Sequence, residues 1–190
     1  YTRKQWNKFL NIVSKLRNNN INIPLKHVAN SATIMDLPEM ELDMVRPGIM
    51  LYGLKPSSEV NDNFDLKPAL TWKAKIMYLK EVSAGSGISY GTTFVTTKKS
   101  KIATLPLGYA DGYSRLLSNK AEVLVKGERV PVVGNVCMDQ FMVDVSEIKN
   151  IDIEEEVILI GKQDNKEITA TELAEKMGTI NYEIICNISD

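Results

Sequence analysis

The sequence predicts a chain in two parts: a short α/β segment over residues 1–60, then a mainly β domain over residues 66–190. Three observations carry that reading. Apolar residues near the start recur at helical intervals, and short apolar runs follow in a helix–strand–helix–strand rhythm. A polar connector rich in Pro, Ser, Asn and Asp occupies residues 55–67. Beyond it, alternating and β-branched runs dominate.

Taken in order, Trp6, Phe9, Leu10, Val13 and Leu16 share one face of a helix over residues 1–17, and Asn18-Asn19-Asn20 ends it. Residues 21–28 are apolar and contain Pro24, which predicts a short buried strand. A short helix from Ala32 to about Leu37 follows, with Ser31 as its expected N-cap. Residues 42–54 form another apolar segment, interrupted by Arg46-Pro47-Gly48. In the second part, residues 70–78 alternate, as expected of one half-buried strand. Val123 and Val125 run through Lys126-Gly127-Glu128 into Val130, Val132 and Val133, a hairpin signal. Residues 141–145 and 157–160 are further strand candidates. Thr169 and Glu172 form a capping-box pattern before a helix that buries Leu173, Ala174 and Met177 and stops at Gly178. Residues 182–188 read as a last strand.

The formal net charge of −1 and pI of about 6.0, with no basic block, argue against nucleic-acid and anionic-membrane partners. No apolar run approaches the roughly 20 residues that span a bilayer. Cys137 and Cys186 form no CxxC, so neither a disulfide framework nor a zinc site is expected. With no secretory signal, both are expected reduced and packed as small hydrophobes in a cytoplasmic protein. The chain opens inside a helical pattern and stops after an apolar run, so both ends read as cuts in a longer protein. One histidine leaves no room for a Ser/His/Asp triad, and no metal cluster or phosphate loop of the GxxxxGK[ST] type is present.

The chemistry-bearing candidates are few. Ser31 can offer a hydroxyl at a helix start, and Gly48 and Ile49 backbone N–H groups, a set suited to phosphate but equally to a cap and a turn. Arg46 lies in an apolar segment and calls for a partner, either His27 or an aromatic nitrogen of a cofactor. Tyr90, in Gly87-Ile-Ser-Tyr-Gly-Thr-Thr-Phe94, and Tyr109, in Gly108-Tyr-Ala-Asp-Gly-Tyr113, stand beside glycines that permit sharp turns. A tyrosine hydroxyl has a reference pKa near 10, so it moves protons only where its surroundings help. Met138 and Asp139 follow a hairpin and Gly134.

Six blocks, in order, closely resemble the alanine racemases: residues 27–32 (His-Val-Ala-Asn-Ser-Ala), residues 46–53 (Arg-Pro-Gly-Ile-Met-Leu-Tyr-Gly), Ser89-Tyr90-Gly91, residues 105–113, Gly134-Asn-Val-Cys-Met-Asp-Gln140 and Asn181-Tyr182-Glu183. The resemblance implies a fold-type III pyridoxal 5'-phosphate enzyme. Residues 1–60 would be the last α/β units of a (β/α)8 barrel, and residues 66–190 a β-barrel-like C-terminal domain. It implies interconversion of L- and D-alanine for peptidoglycan precursors, in a bacterial homodimer whose active sites are shared across the interface. Ser31, Gly48, Ile49 and Tyr182 match phosphate binders. Arg46 matches the arginine facing the pyridine nitrogen, oriented by His27. Tyr90 matches the tyrosine that exchanges the α-proton on the L-alanine side. Met138 matches the backbone N–H donor to the substrate carboxylate, and Tyr109 and Asp139 match positions at the substrate channel. The family's Schiff-base lysine has no match in this chain, which is therefore expected to be inactive alone. Two alternatives are a non-catalytic dimerisation module that completes a partner's site, and a related racemase of serine or another amino acid.

Overall fold

The computed structural model describes residues 1–61 and 64–188. The connector expected over residues 55–67 and the region up to residue 190 each include two positions outside that set. The chain folds as two compact units, Tyr1–Ala69 and Leu70–Asp190.

In the first unit, helix α1 (Thr2–Asn18) half-buries Trp6, Phe9, Val13 and Leu16, the stripe its spacing dictates. Trp6 and Phe9 stack at 6.2 Å. The buried strand expected over residues 21–28 does not form. Residues 21–25 are exposed, and Pro24 has no N–H to give a ladder. From Lys26 onward the chain instead runs parallel to residues 43–48 through spaced contacts. Asp43 N–H donates to Lys26 O at 3.1 Å and Arg46 N–H to Ala29 O at 2.8 Å. Only Asn30 and Arg46 make a true bridge.

Helix α2 (Ser31–Asp36) is capped by Asn30 rather than by Ser31 as expected. The Asn30 carboxamide oxygen accepts from Thr33 N–H at 3.1 Å. Ser31 falls inside the first turn, which frees its hydroxyl for another partner. The apolar segment after Arg46 becomes a 3-10 turn (Ile49–Tyr52) with Ile49 buried.

The second unit is antiparallel throughout. Strand β1 (Trp72–Lys75) and strand β2 (Tyr78–Val82) replace the single strand expected over residues 70–78. Ile76 N–H donates to Glu155 O at 3.0 Å, whereas Met77 N–H donates to Thr104 O at 2.9 Å, so the chain changes sheets between these two residues. A short pair follows, β3 (Gly87–Ile88) with β4 (Phe94–Val95). Strand β5 (Ser100–Leu105), absent from the sequence reading, is the centre of one sheet. It lies between β2 and β8 (Phe141–Asp144). Strands β6 (Glu122–Val125) and β7 (Glu128–Pro131) make the expected hairpin. Its turn has φ of 50° at Lys126 and 73° at Gly127, the two positive values a type I′ turn requires.

The second sheet runs β1, β9 (Glu156–Gln163), β6, β7, with β10 (Lys166–Ile168) also on β9. A bridge between Val132 and Val143 joins the two sheets. Their shared core holds Tyr113 stacked on Phe141 at 4.4 Å, with Trp72 edge-on to Tyr113 at 5.9 Å. Helix α3 (Ala170–Met177) is capped by Thr169, which accepts from Glu172 N–H at 3.0 Å. The expected capping box is half realised, because the Glu172 carboxylate is taken by Arg129 at 2.7 Å on both oxygens. Met177 is only half-buried.

The last strand expected over residues 182–188 is instead helix α4 (Asn181–Cys186). Asn181 and Ile184 are its buried residues, a spacing of three that suits a helical face and not a strand. Cys137 is buried as expected, but Cys186, the last residue of α4, is exposed.

Candidate functional site

In the first unit the functional candidates gather where residues 27–31 meet residues 46–49. The Ser31 hydroxyl, buried, accepts from Gly48 N–H at 2.8 Å. The Gly48 N–H is thereby committed to Ser31, while the Ser31 hydroxyl proton is left to donate. Ile49 opens the 3-10 turn, so its N–H has no partner within that turn. Arg46 Nη1 lies 2.6 Å from His27 Nδ1, and Arg46 Nη2 donates to Val28 O at 3.3 Å. Arginine only donates. His27 Nδ1 must therefore be the acceptor, which places the ring proton on Nε2 in this contact. Contrary to the apolar setting of its sequence, the Arg46 side is exposed to solvent. His27 and Arg46 also line a cavity of about 440 Å³ with Trp6, Phe9, Thr33 and Met40.

In the second unit Tyr90, Tyr109, Met138 and Asp139 share one cavity of about 420 Å³ with Arg115 and Asn135. Tyr90 is 76% exposed and Met138 57%. Two backbone bonds fix the Tyr109 turn to the Met138 segment: Tyr109 N–H to Cys137 O and Ala110 N–H to Met138 O, both 2.9 Å. Asp111 closes that turn by accepting from Gly108 N–H at 2.8 Å. Tyr182 stands on α4, outside the lining of this cavity, and partial burial holds its hydroxyl above the ordinary tyrosine value. The structure thus gathers Ser31, Gly48, Ile49, Arg46 and His27 in one unit, and Tyr90, Tyr109, Met138 and Asp139 in the other.

Sequence reasoning passed over Asn30, Asn119 and Asn135, which hold these segments in place. For Asn30 the signal was an Asn three residues before Thr33, the spacing of an N-cap bond. For Asn135 it was the residue beside Gly134. Among the described residues no group of three His, Cys, Asp or Glu side chains could hold a metal ion. No helix among them is long and apolar enough to cross a membrane.

Together, fold and site define a β-rich chain that follows a short α/β unit, with a donor-rich cluster in each unit. Residues 1–56 match the family model of the alanine racemase N-terminal domain, and residues 69–190 that of the alanine racemase C-terminal domain. The chain belongs to the alanine racemase family. It is 60% identical over 189 residues to an alanine racemase of Halothermothrix orenii, covering 100% of this chain and 50% of that protein. An alanine racemase of Clostridium difficile 630 in complex with cycloserine superposes with a TM-score of 0.93 at 47% identity, over 100% of this chain and 50% of that one. The Bacillus anthracis alanine racemase with bound L-Ala-P gives a TM-score of 0.94 at 44% identity, over 100% and 49%. The chain spans about half the length of the curated relatives it matches.

Proposed function

We propose that this chain forms part of an alanine racemase that interconverts L- and D-alanine with pyridoxal 5'-phosphate, supplying D-alanine for peptidoglycan precursors in the cytoplasm. Residues 1–60 would serve as the end of its barrel and residues 66–190 as its β domain. The observation that carries the reading is the Arg46–His27 pair beside the Ser31–Gly48–Ile49 cluster. This is a set of donors to a phosphate, together with a guanidinium oriented from behind.

The donor set fits the cofactor. The Ser31 hydroxyl and the Ile49 N–H would hold its phosphate, with Gly48 positioning Ser31. When bound, the cofactor supplies the electron sink that makes the substrate α-proton removable. Arg46 can only donate, so facing the pyridine nitrogen it would disfavour a proton there and would keep the sink weak. A weak sink favours prompt return of the proton over side reactions such as transamination. His27, accepting from Arg46 Nη1, sets the direction of the guanidinium.

Racemisation requires one proton-moving group on each face of the α-carbon. The Tyr90 hydroxyl would move the proton on the L-alanine face. The Met138 backbone N–H would orient the substrate carboxylate, and Tyr109 and Asp139 would line the approach. By the family resemblance the second group would be a lysine that also holds the cofactor, and none of the lysines of this chain matches it. The chain alone is therefore proposed to be inactive, and a homodimer to bring Tyr90 and Met138 to the partner's cofactor. The test is Tyr90→Phe in the full-length holoenzyme. Alanine racemisation should fall at least about 100-fold, the upper range of a lost general acid–base group being roughly 10⁴-fold. Activity within a few-fold of the parent would sink the assignment. Comparing L-serine with L-alanine as substrate separates the serine racemase alternative.

A further inference from the structure

We propose that Asn135 and Asn119 are positioning residues for the proton transfer at Tyr90, an inference that rests on the role assigned to Tyr90 above. Tyr90 is 76% exposed, so packing does little to hold its ring in place. Its turn joins only the two-residue pair β3–β4 and is closed by one backbone bond, Thr92 N–H to Ser89 O at 3.3 Å. Ser89 and Thr92, neither of them glycine, take φ of 65° and 48°. Residues hold such conformations only where their surroundings over-determine them.

The surroundings here are two asparagines. Asn135 Nδ2 donates to the Tyr90 carbonyl at 2.7 Å, and the Ser89 hydroxyl donates back to the Asn135 carbonyl at 2.7 Å. Asn119 Oδ1 accepts from Gly134 N–H at 2.6 Å, and Asn119 Nδ2 donates to Thr93 Oγ1 at 3.0 Å. A carbonyl only accepts and an N–H only donates, so both carboxamide orientations are fixed by their partners. Two hydrogen bonds therefore strap residues 89–93 to Asn135 directly, and two more join Thr93 to Gly134 through Asn119. Three residues further on, the same strand of chain presents Met138. The hydroxyl that moves the proton and the N–H that orients the carboxylate are thus carried on one strapped body. Their relative position is set before substrate arrives, which is the condition under which small displacements are costly to rate.

The two asparagines differ in a way that the test can use. Thr93 has a rotatable hydroxyl, so in Asn119→Asp the carboxylate can still accept from both Gly134 N–H and Thr93. The Tyr90 carbonyl offers no proton, so Asn135→Asp sets two acceptors against each other. The experiment measures kcat, KM and the α-deuterium isotope effect in both directions for the full-length enzyme loaded with pyridoxal phosphate. Asn135→Ala, Asn135→Asp and Asn119→Ala should lower kcat roughly 10- to 100-fold with KM changed less than about 3-fold. Asn119→Asp should stay within about 3-fold of the parent. The isotope effect should rise with L-alanine, where Tyr90 moves the proton, and not with D-alanine. In a Tyr90→Phe background the Asn135→Ala change should cost nothing further, because the group it positions is gone.

Equal losses in both backgrounds, or isotope effects unchanged in both directions, would overturn the proposal. So would kcat within about 2-fold of the parent in a folded Asn135→Ala variant. If Asn135→Ala does not fold, the contrast between Asn119→Ala and Asn119→Asp decides alone, and equal activity of that pair overturns the proposal. Full activity of Tyr90→Phe would remove the site reading and this inference together. Loss in Tyr90→Phe with full activity in Asn135→Ala removes only the inference.

Discussion

Replacing Gly108 by alanine should cost the second unit several kcal/mol, because two backbone segments pass each other with no room for a side chain. A β-carbon at Gly108 would lie 2.1 Å from the Cys137 carbonyl oxygen and 2.6 Å from that of Met138. Carbon and oxygen normally approach to roughly 3.3 Å, so the segments must part by about 1 Å. That movement breaks the bonds from Tyr109 N–H to Cys137 O and from Ala110 N–H to Met138 O. Each is worth about 1 kcal/mol net, and forced repacking adds about 1–3 kcal/mol, for a total of about 3–5 kcal/mol. The φ of Gly108 is −157°, extended backbone open to any residue, so the whole cost comes from the clash. Equilibrium urea unfolding followed by tryptophan fluorescence would read it, since Trp72 packs against Tyr113 in that unit. A loss below about 1 kcal/mol at unchanged m-value would show that the loops yield without parting, and would refute the reasoning.

Three further outcomes are expected. Arg129 donates to both oxygens of Glu172, and that contact holds the Glu172 carboxyl below its ordinary value of 4.5. The stabilisation is complete above that value and is lost as pH falls through the depressed one; in Glu172→Gln this part of the acid dependence of the urea midpoint should vanish, and at neutral pH the variant should be less stable by about 1–3 kcal/mol. The buried Tyr113 hydroxyl is the one buried side-chain N or O atom among the described residues without a hydrogen-bond partner, and burial pushes its pKa well up. Tyr113→Phe should leave the thermal midpoint unchanged or raise it, by up to about 1 kcal/mol in stability, whereas a clear loss would reveal a partner for that oxygen. Asn30→Ala should destabilise the first unit by about 1 kcal/mol while Asn30→Ser restores most of it, and amide exchange at Thr33 would report the cap directly.

The elements that were legible in the sequence are those whose signal is local. The α1 stripe, the β6–β7 hairpin and the Thr169 cap each follow from residues within a few positions of one another. The errors share one cause. Residues 182–188 form a short run in which only Glu183 and Asn187 are polar, too short for periodicity to separate helix from strand; the shared burial of Asn181 and Ile184 decides for the helix. The alternation over residues 70–78 was real, but a change of sheets between Ile76 and Met77 is decided by Glu155 and Thr104, both distant in sequence. Strand β5 is buried on both faces, which erases the alternation that marks a strand. At the candidate site the residue types were readable. The partnerships were not, because Ser31 and Gly48, or Asn135 and Tyr90, meet only when separated segments are folded together.

The sequence by itself determined the two-part plan, the helix and hairpin punctuation, and the six blocks that place the chain in its family. Residue type and short spacing suffice for these, because caps, turns and periodic faces are enforced by neighbours along the chain. Only the tertiary structure decided which side chain caps α2, which carboxylate Arg129 binds, and that two asparagines strap the Tyr90 turn to the segment bearing Met138. Each of those outcomes is a competition among several donors and acceptors for one partner. Such a competition is settled by which segments the fold brings within hydrogen-bond reach.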